Sequence, residues 1–216
     1  MSNERYDPDK PLSKGELWTY VIFFLLLVGM LAGETFHNYK PVKLSILFFI
    51  VTWFPLLAIH ELGHAMAARF CGWHVRKISL GMGRVVGTYR LWDAELEVRI
   101  IPIEGYVIPQ PHSMKHVRLK SAFIYFAGCG LELTLLLAFV IALGPSTLLS
   151  KTNSIPIIFV QTFSVAILLS VLSNLIPRSA RKELGYGLEE WTPNDGLGII
   201  RSFTMPLAYF RAQVRG

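Results

Sequence analysis

The chain has 216 residues, of which 52% are hydrophobic and only 17% charged; its mean hydropathy is +0.44. An ordinary soluble domain carries about 25% charged residues, so this composition excludes disorder and argues against a soluble globular domain. Lys and Arg number 21 against 15 Asp and Glu, a net +6, an excess that in a membrane chain marks cytoplasmic loops and not nucleic-acid binding.

Four segments are long and apolar enough to cross a bilayer, which takes about 20 residues each. The first, Leu17 to Gly33, has no charge. It does not read as a signal peptide: no small-residue cleavage site follows it, and Glu4, Asp7 and Asp9 mix with Arg5, Lys10 and Lys14 ahead of it. The second is apolar from Leu44 to Ile59 and then runs into His60, Glu61 and His64. The third begins near Ser121, passes Leu143 and holds one carboxylate, Glu132. The fourth runs from about Ile155 to Pro177.

Between the second and third spans the pattern is that of strands. His74, Arg76, Ile78 and Leu80 alternate with Val75, Lys77 and Ser79, and Gly81-Met82-Gly83 breaks the run. Arg84 to Leu91 and Glu95 to Ile103 are rich in β-branched and aromatic residues around a turn at Trp92-Asp93-Ala94. Two or three short strands are predicted, ended or bent by Pro102 and Gly105. After Gly196, the apolar Leu197, Ile200, Phe203 and Leu207 follow helical spacing, with Arg201 and Arg211 suited to an interface. The fold expected is mainly α: a polytopic membrane protein of about four transmembrane helices with a small cytoplasmic β-hairpin region between spans two and three. Residues 1–43 form the amino terminus and one extra helix, and residues 44–216 the core.

Basic residues orient the spans. The alternate compartments hold 18 and 3 Lys and Arg, nine of them between Arg69 and Lys120. The positive-inside rule therefore puts both termini and the middle segment in the cytoplasm. Two cysteines, Cys71 and Cys129, give neither a disulfide framework nor a zinc knuckle.

The chemistry sits at His60-Glu61-Leu62-Gly63-His64, an H-E-x-x-H pattern. Residues i and i+4 share a helix face, so two imidazoles can meet one metal ion while Glu61 reaches a water and acts as general base. The pattern closes an apolar run about 24 Å long at about 1.5 Å per residue, and ionisable groups at membrane depth are costly and usually functional. A catalytic zinc takes three protein ligands and leaves a position open. Glu95 and Glu97 lie in a predicted strand and are not favoured; Glu132 and Asp195 are both candidates for the third ligand, and spacing alone does not separate them. The Asp195-Gly196 pair also reads as an ordinary turn. His112 and His116 repeat the i,i+4 spacing without an adjacent Glu, behind Pro109 and Pro111, and read as a loop or helix start; His37 and His74 read as surface residues.

From about Phe54 to about Ile200 these motifs, in their order, resemble the site-2 protease family of intramembrane zinc metalloproteases. His60-Glu61-Leu62-Gly63-His64 resembles its zinc helix, and Cys71-Gly72-Trp73-His74-Val75 through Gly81-Met82-Gly83 its glycine-punctuated strand region. Ile101-Pro102-Ile103-Glu104-Gly105-Tyr106-Val107, Phe126-Ala127-Gly128, and Asn174-Leu175-Ile176-Pro177 followed by Asp195-Gly196 resemble its later elements. The resemblance implies Zn2+ held by His60, His64 and Asp195, with Glu61 as the catalytic base. It implies substrate or oxyanion contact by Asn174 and substrate presentation by Gly105 and Tyr106. The implied function is hydrolysis of peptide bonds in membrane-protein substrates within or near the bilayer, as in regulated intramembrane proteolysis; the membrane expected is the cytoplasmic (plasma) membrane. Departures from the family pattern are Glu104 for a glycine, Cys129 for a proline, Glu132 for an asparagine, and a longer Arg178 to Asn194 connection. A non-catalytic membrane scaffold and, less favoured, a metal transporter are the alternatives.

Overall fold

A computed structural model describes residues 13–37, 39–183 and 189–214. The charged stretch around Glu4, Arg5, Asp7, Asp9 and Lys10 lies outside the described residues. Four long helices answer to the four expected spans: α1 (Lys14–Phe36), α2 (Leu44–Phe70), α3 (Val117–Leu143) and, after the short α4 (Pro145–Leu149), α5 (Ile155–Leu175). Two shorter helices follow, α6 (Asp195–Thr204) and α7 (Leu207–Val214). The tail helix expected after Gly196 is thus split at Met205-Pro206, because proline has no amide hydrogen to continue the ladder.

Helices α2, α3, α5 and α6 form the core. No hydrophobic effect drives helices together in lipid, so close packing of small residues does the work. Gly63 shows this: a Cβ there would lie 2.6 Å from the Ala127 carbonyl oxygen and 3.0 Å from the Gly128 Cα. Ala65, Ala67 and Ala68 continue the small face of α2 under the sheet, against Trp73, Val75 and Ile78. Deeper in the helical layer, Leu56 and Cys129 pack with Ala166, Ile167 and Val171 of α5.

The segment between α2 and α3 is an antiparallel pair, β1 (His74–Leu91) and β2 (Ala94–Gln110). Only two strands form where up to three were expected, and they run through Gly81-Met82-Gly83 instead of ending there. The glycines bend the strand instead: both have left-handed φ, +100° and +80°, which costs glycine little. The bend folds the pair on itself. Lys77 to Leu80 pairs on one side with Ile108 to Gly105 and on the other with Glu95 to Val98. The turn at Trp92-Asp93 falls where the sequence placed it.

A second hairpin, β3 (Ser179–Glu183) with β4 (Glu189–Pro193), fills the long connection from α5 to α6. It leaves α5 through Ile176 in an extended conformation, as expected of a residue before proline.

Candidate active site

Two antiparallel helix faces build the site. On α2, His60 and His64 are one turn apart; on α3, Ile124, Gly128 and Glu132 are spaced by four and lie on one face. His64 meets Ile124, His60 meets Glu132, and Gly128 lies between. A Cβ at Gly128 would sit 2.4 Å from His64 Nε2 and 2.8 Å from His60 Cε1, so only glycine leaves the imidazoles their room.

The third wall is the start of α6. Its N-cap is Asn194, whose side-chain oxygen accepts from the backbone N–H groups of Leu197 (3.2 Å) and Arg178 (2.9 Å). Its Nδ2 donates to the Ile176 carbonyl at 2.7 Å. One side chain thus ties the end of α5 to the beginning of α6. Gly196 tightens the junction, since a Cβ there would lie 2.0 Å from the Leu175 carbonyl oxygen. Asp195-Gly196 is therefore the first turn of a helix, not the ordinary turn its sequence also suggested.

Asp195 emerges facing both histidines. Its Oδ2 is 2.9 Å from His60 Nε2 and its Oδ1 is 3.3 Å from His64 Nε2, and the two Nε2 atoms are 3.0 Å apart. All three residues are buried. At 3.0 Å the two nitrogens can share one N–H···N hydrogen bond, and with both lone pairs turned inward they can instead face one cation. A tetrahedral zinc with bonds of about 2.0–2.1 Å sets neighbouring ligand atoms about 3.3 Å apart, close to the spacings observed. The donor set of two nitrogens and a carboxylate fits zinc.

Behind the donors, His64 Nδ1 lies 2.7 Å from the Ile124 carbonyl. His60 Nδ1 lies 3.3 Å from Glu132 Oε1, which also accepts from Ser170 Oγ at 2.7 Å. Cys129 Sγ is 3.8 Å from Asp195 Oδ2. Both carboxylates that the sequence left open are thus near His60, on opposite edges of its ring.

Glu61, buried at 4% exposure, points at the sheet. A Cβ on Gly105 would lie 2.5 Å from its Oε1, so the Gly105 backbone rests against the carboxylate. Tyr106 follows in β2, paired with Ser79. Asn174, on the last turn of α5, donates to Ser170 Oγ at 3.4 Å and reaches the histidines only through Ser170 and Glu132. Glu97 and Glu95 lie away from this cluster and face Lys77, at 2.6 and 3.9 Å. His112 and His116 are exposed before α3, and His37 and His74 are exposed. Sequence reading missed Asn194 and Ser170. An Asn directly before Asp-Gly and an apolar helical run is an N-cap signal; nothing in the sequence marks Ser170.

Comparison with known proteins gives the family to which the chain is similar. Residues 48–203 match the sequence model of Peptidase family M50. A “Putative zinc metalloprotease” of Nostoc sp. is 41% identical over 64 residues, 30% of this chain and 18% of that protein. One of Synechocystis sp. is 46% identical over 52 residues, 24% of this chain and 14% of that protein. A “Regulator of sigma E protease” of Haemophilus influenzae is 40% identical over 60 residues, 27% of this chain and 14% of that protein. The matched stretch is less than a fifth of the length of each of these relatives.

Proposed function

The chain belongs to Peptidase family M50, and on that premise we propose that it is an intramembrane zinc protease that hydrolyses peptide bonds of membrane-protein substrates within or near the bilayer. The observation that carries this reading is the convergence of His60 Nε2, His64 Nε2 and the Asp195 carboxylate, with Glu61 one residue along α2. The site is about 15 Å from the Phe70 end of α2, at about 1.5 Å per residue over ten residues, inside the span and not at its mouth.

His60, His64 and Asp195 would hold the metal. Zinc, when bound, polarises the scissile carbonyl as a Lewis acid and makes a water acidic enough to attack near neutral pH. Glu61 accepts the proton from the attacking water on its carboxylate and returns it to the departing amine nitrogen. Its burial between α2 and Gly105 keeps bulk water from competing for that proton. Asn174 is assigned a hydrogen bond to the substrate or to the oxygen that gains charge.

The substrate must arrive extended, because a helix ties its carbonyls into its own hydrogen bonds. Gly105 and Tyr106 present it. The Gly105–Gln110 stretch of β2 is paired with β1 along one edge, and addition of an extended peptide along the other edge would bring its backbone past Glu61. The membrane we assign is the plasma membrane, and the basic-residue bias directs both termini to the cytoplasm.

The test is Glu61→Gln in purified full-length protein, with cleavage of a membrane substrate and zinc content read on the same sample. An amide is nearly isosteric but cannot take the proton, so cleavage should fall by about 10²–10⁴-fold with zinc retained. Undiminished cleavage by the zinc-loaded variant would refute the reading.

A further inference from the structure

The metal-facing nitrogen of each histidine dictates what its other nitrogen must do. With the Nε2 lone pair given to a cation, neutral imidazole carries its hydrogen on Nδ1. That N–H is buried in the span and needs an acceptor, since an unpaired buried donor costs free energy. His64 has one in the Ile124 carbonyl of α3 at 2.7 Å. His60 lies one turn away on α2, and its Nδ1 has no aligned hydrogen bond; the acceptor within reach is Glu132 Oε1 at 3.3 Å.

Glu132 is held for that purpose. It is fully buried, at 0% exposure. Ser170 Oγ donates to the same Oε1 at 2.7 Å, and Asn174 Nδ2 donates to Ser170 Oγ at 3.4 Å. The hydrogens run in one direction. Asn174 gives to the serine oxygen, the serine gives to the carboxylate, and the carboxylate is left as acceptor for His60. A chain starting on α5 thus ends on an α2 imidazole by way of α3.

We infer that Glu132, braced by Ser170, is a positioning residue that fixes the tautomer and ring orientation of His60, so that Nε2 faces the metal. It is not the third ligand: Oε1 faces Nδ1, the nitrogen on the far side of the ring from the one that faces Asp195. This inference rests on the zinc reading proposed above. It gives the acid in the third span a role in place of the alternatives the sequence left open. Partners of this outer kind tune metal affinity by about 10–100-fold when removed.

The experiment measures zinc affinity by chelator competition on full-length protein in detergent, for wild type, Glu132→Ala, Glu132→Gln, Ser170→Ala and Asp195→Ala. Visible absorption of the Co2+-loaded forms is recorded in parallel, because its bands report the geometry of the ligands themselves. Glu132→Ala should lose about 10–100-fold in affinity and shift the Co2+ bands. Glu132→Gln keeps an acceptor oxygen and should recover part of the loss, Ser170→Ala should lose less than Glu132→Ala, and Asp195→Ala should lose most. Wild-type affinity and an unshifted spectrum in a folded Glu132→Ala would overturn the inference while leaving the zinc reading intact. So would abolished binding in Glu132→Ala with binding kept in Asp195→Ala, since Glu132 would then be the ligand. If Glu132→Ala does not fold, Glu132→Gln and Ser170→Ala decide, and wild-type affinity and spectrum in both would overturn it. A wild-type protein that binds no zinc would instead defeat the zinc reading.

Discussion

At the scale of single residues, the site depends as much on what is missing as on what is present. Gly128 contributes no functional group, yet it decides whether two imidazoles can turn toward each other. A methyl group there would lie 2.4 Å from His64 Nε2, so the ring must turn aside or α3 must move off α2 and give up the close packing at Gly63. Gly128→Ala should therefore keep the helical content of the protein and lose most of its bound zinc. Metal analysis beside far-ultraviolet circular dichroism checks this; full zinc occupancy in a folded Gly128→Ala would show that the helices can separate after all. The H-E-x-x-H spacing was legible because i,i+4 is a property of one helix. The match of 60 and 64 with 132 and 124 was not, since it is fixed by the register of two helices and no local pattern encodes that.

At the scale of elements, the four spans and the strand region were readable because hydrophobic length and alternation are local signals. The folding-back of β1 and β2 was hidden, because it depends on two glycines taking left-handed φ in the middle of a run of strand formers. A buried charge cluster stiffens this doubled sheet: Glu97 meets Lys77 Nζ at 2.6 Å and Arg99 Nη2 at 2.7 Å. Burial pushes the Glu97 carboxyl up, but Lys77 and Arg99 hold it below the usual carboxylate range. A depressed folded-state value means that the stabilisation is present above the ordinary carboxylate range and is lost as pH falls through the folded value. Amide exchange in β1 and β2, corrected for the intrinsic pH dependence, should therefore show protection that declines below about pH 4, near the ordinary Glu value. In Glu97→Gln that acid-induced decline should be absent. An equal decline in both proteins would place the acid sensitivity elsewhere.

At the scale of the whole molecule, α1 stands out by its exposure. Helix α1 buries none of the most apolar stretch it offers, and the family match begins only at residue 48. The contacts of α1 include the Glu16–Arg84 ion pair and the bonds from Lys43 Nζ to the Glu34 and His37 carbonyls. Such a helix is soluble only in lipid, so its place is set by the membrane and by the charges that flank it. Those charges make the last prediction. With the four long helices as spans, eighteen of 21 Lys and Arg would fall on one side, and the rule concerns charges close to span ends, where the Arg69 to Lys120 segment begins and finishes. The exposed Asp93 at the hairpin turn should therefore face the cytoplasm, and the exposed Asn153, between α4 and α5, should face outward. In a Cys71→Ser background, with Cys129 buried, a membrane-impermeant maleimide added to intact cells should label Asn153→Cys and spare Asp93→Cys. Permeabilised cells should show both labelled. Labelling of Asp93→Cys from outside intact cells would reverse the orientation, and with it the side from which an extended substrate could reach the edge at Gly105.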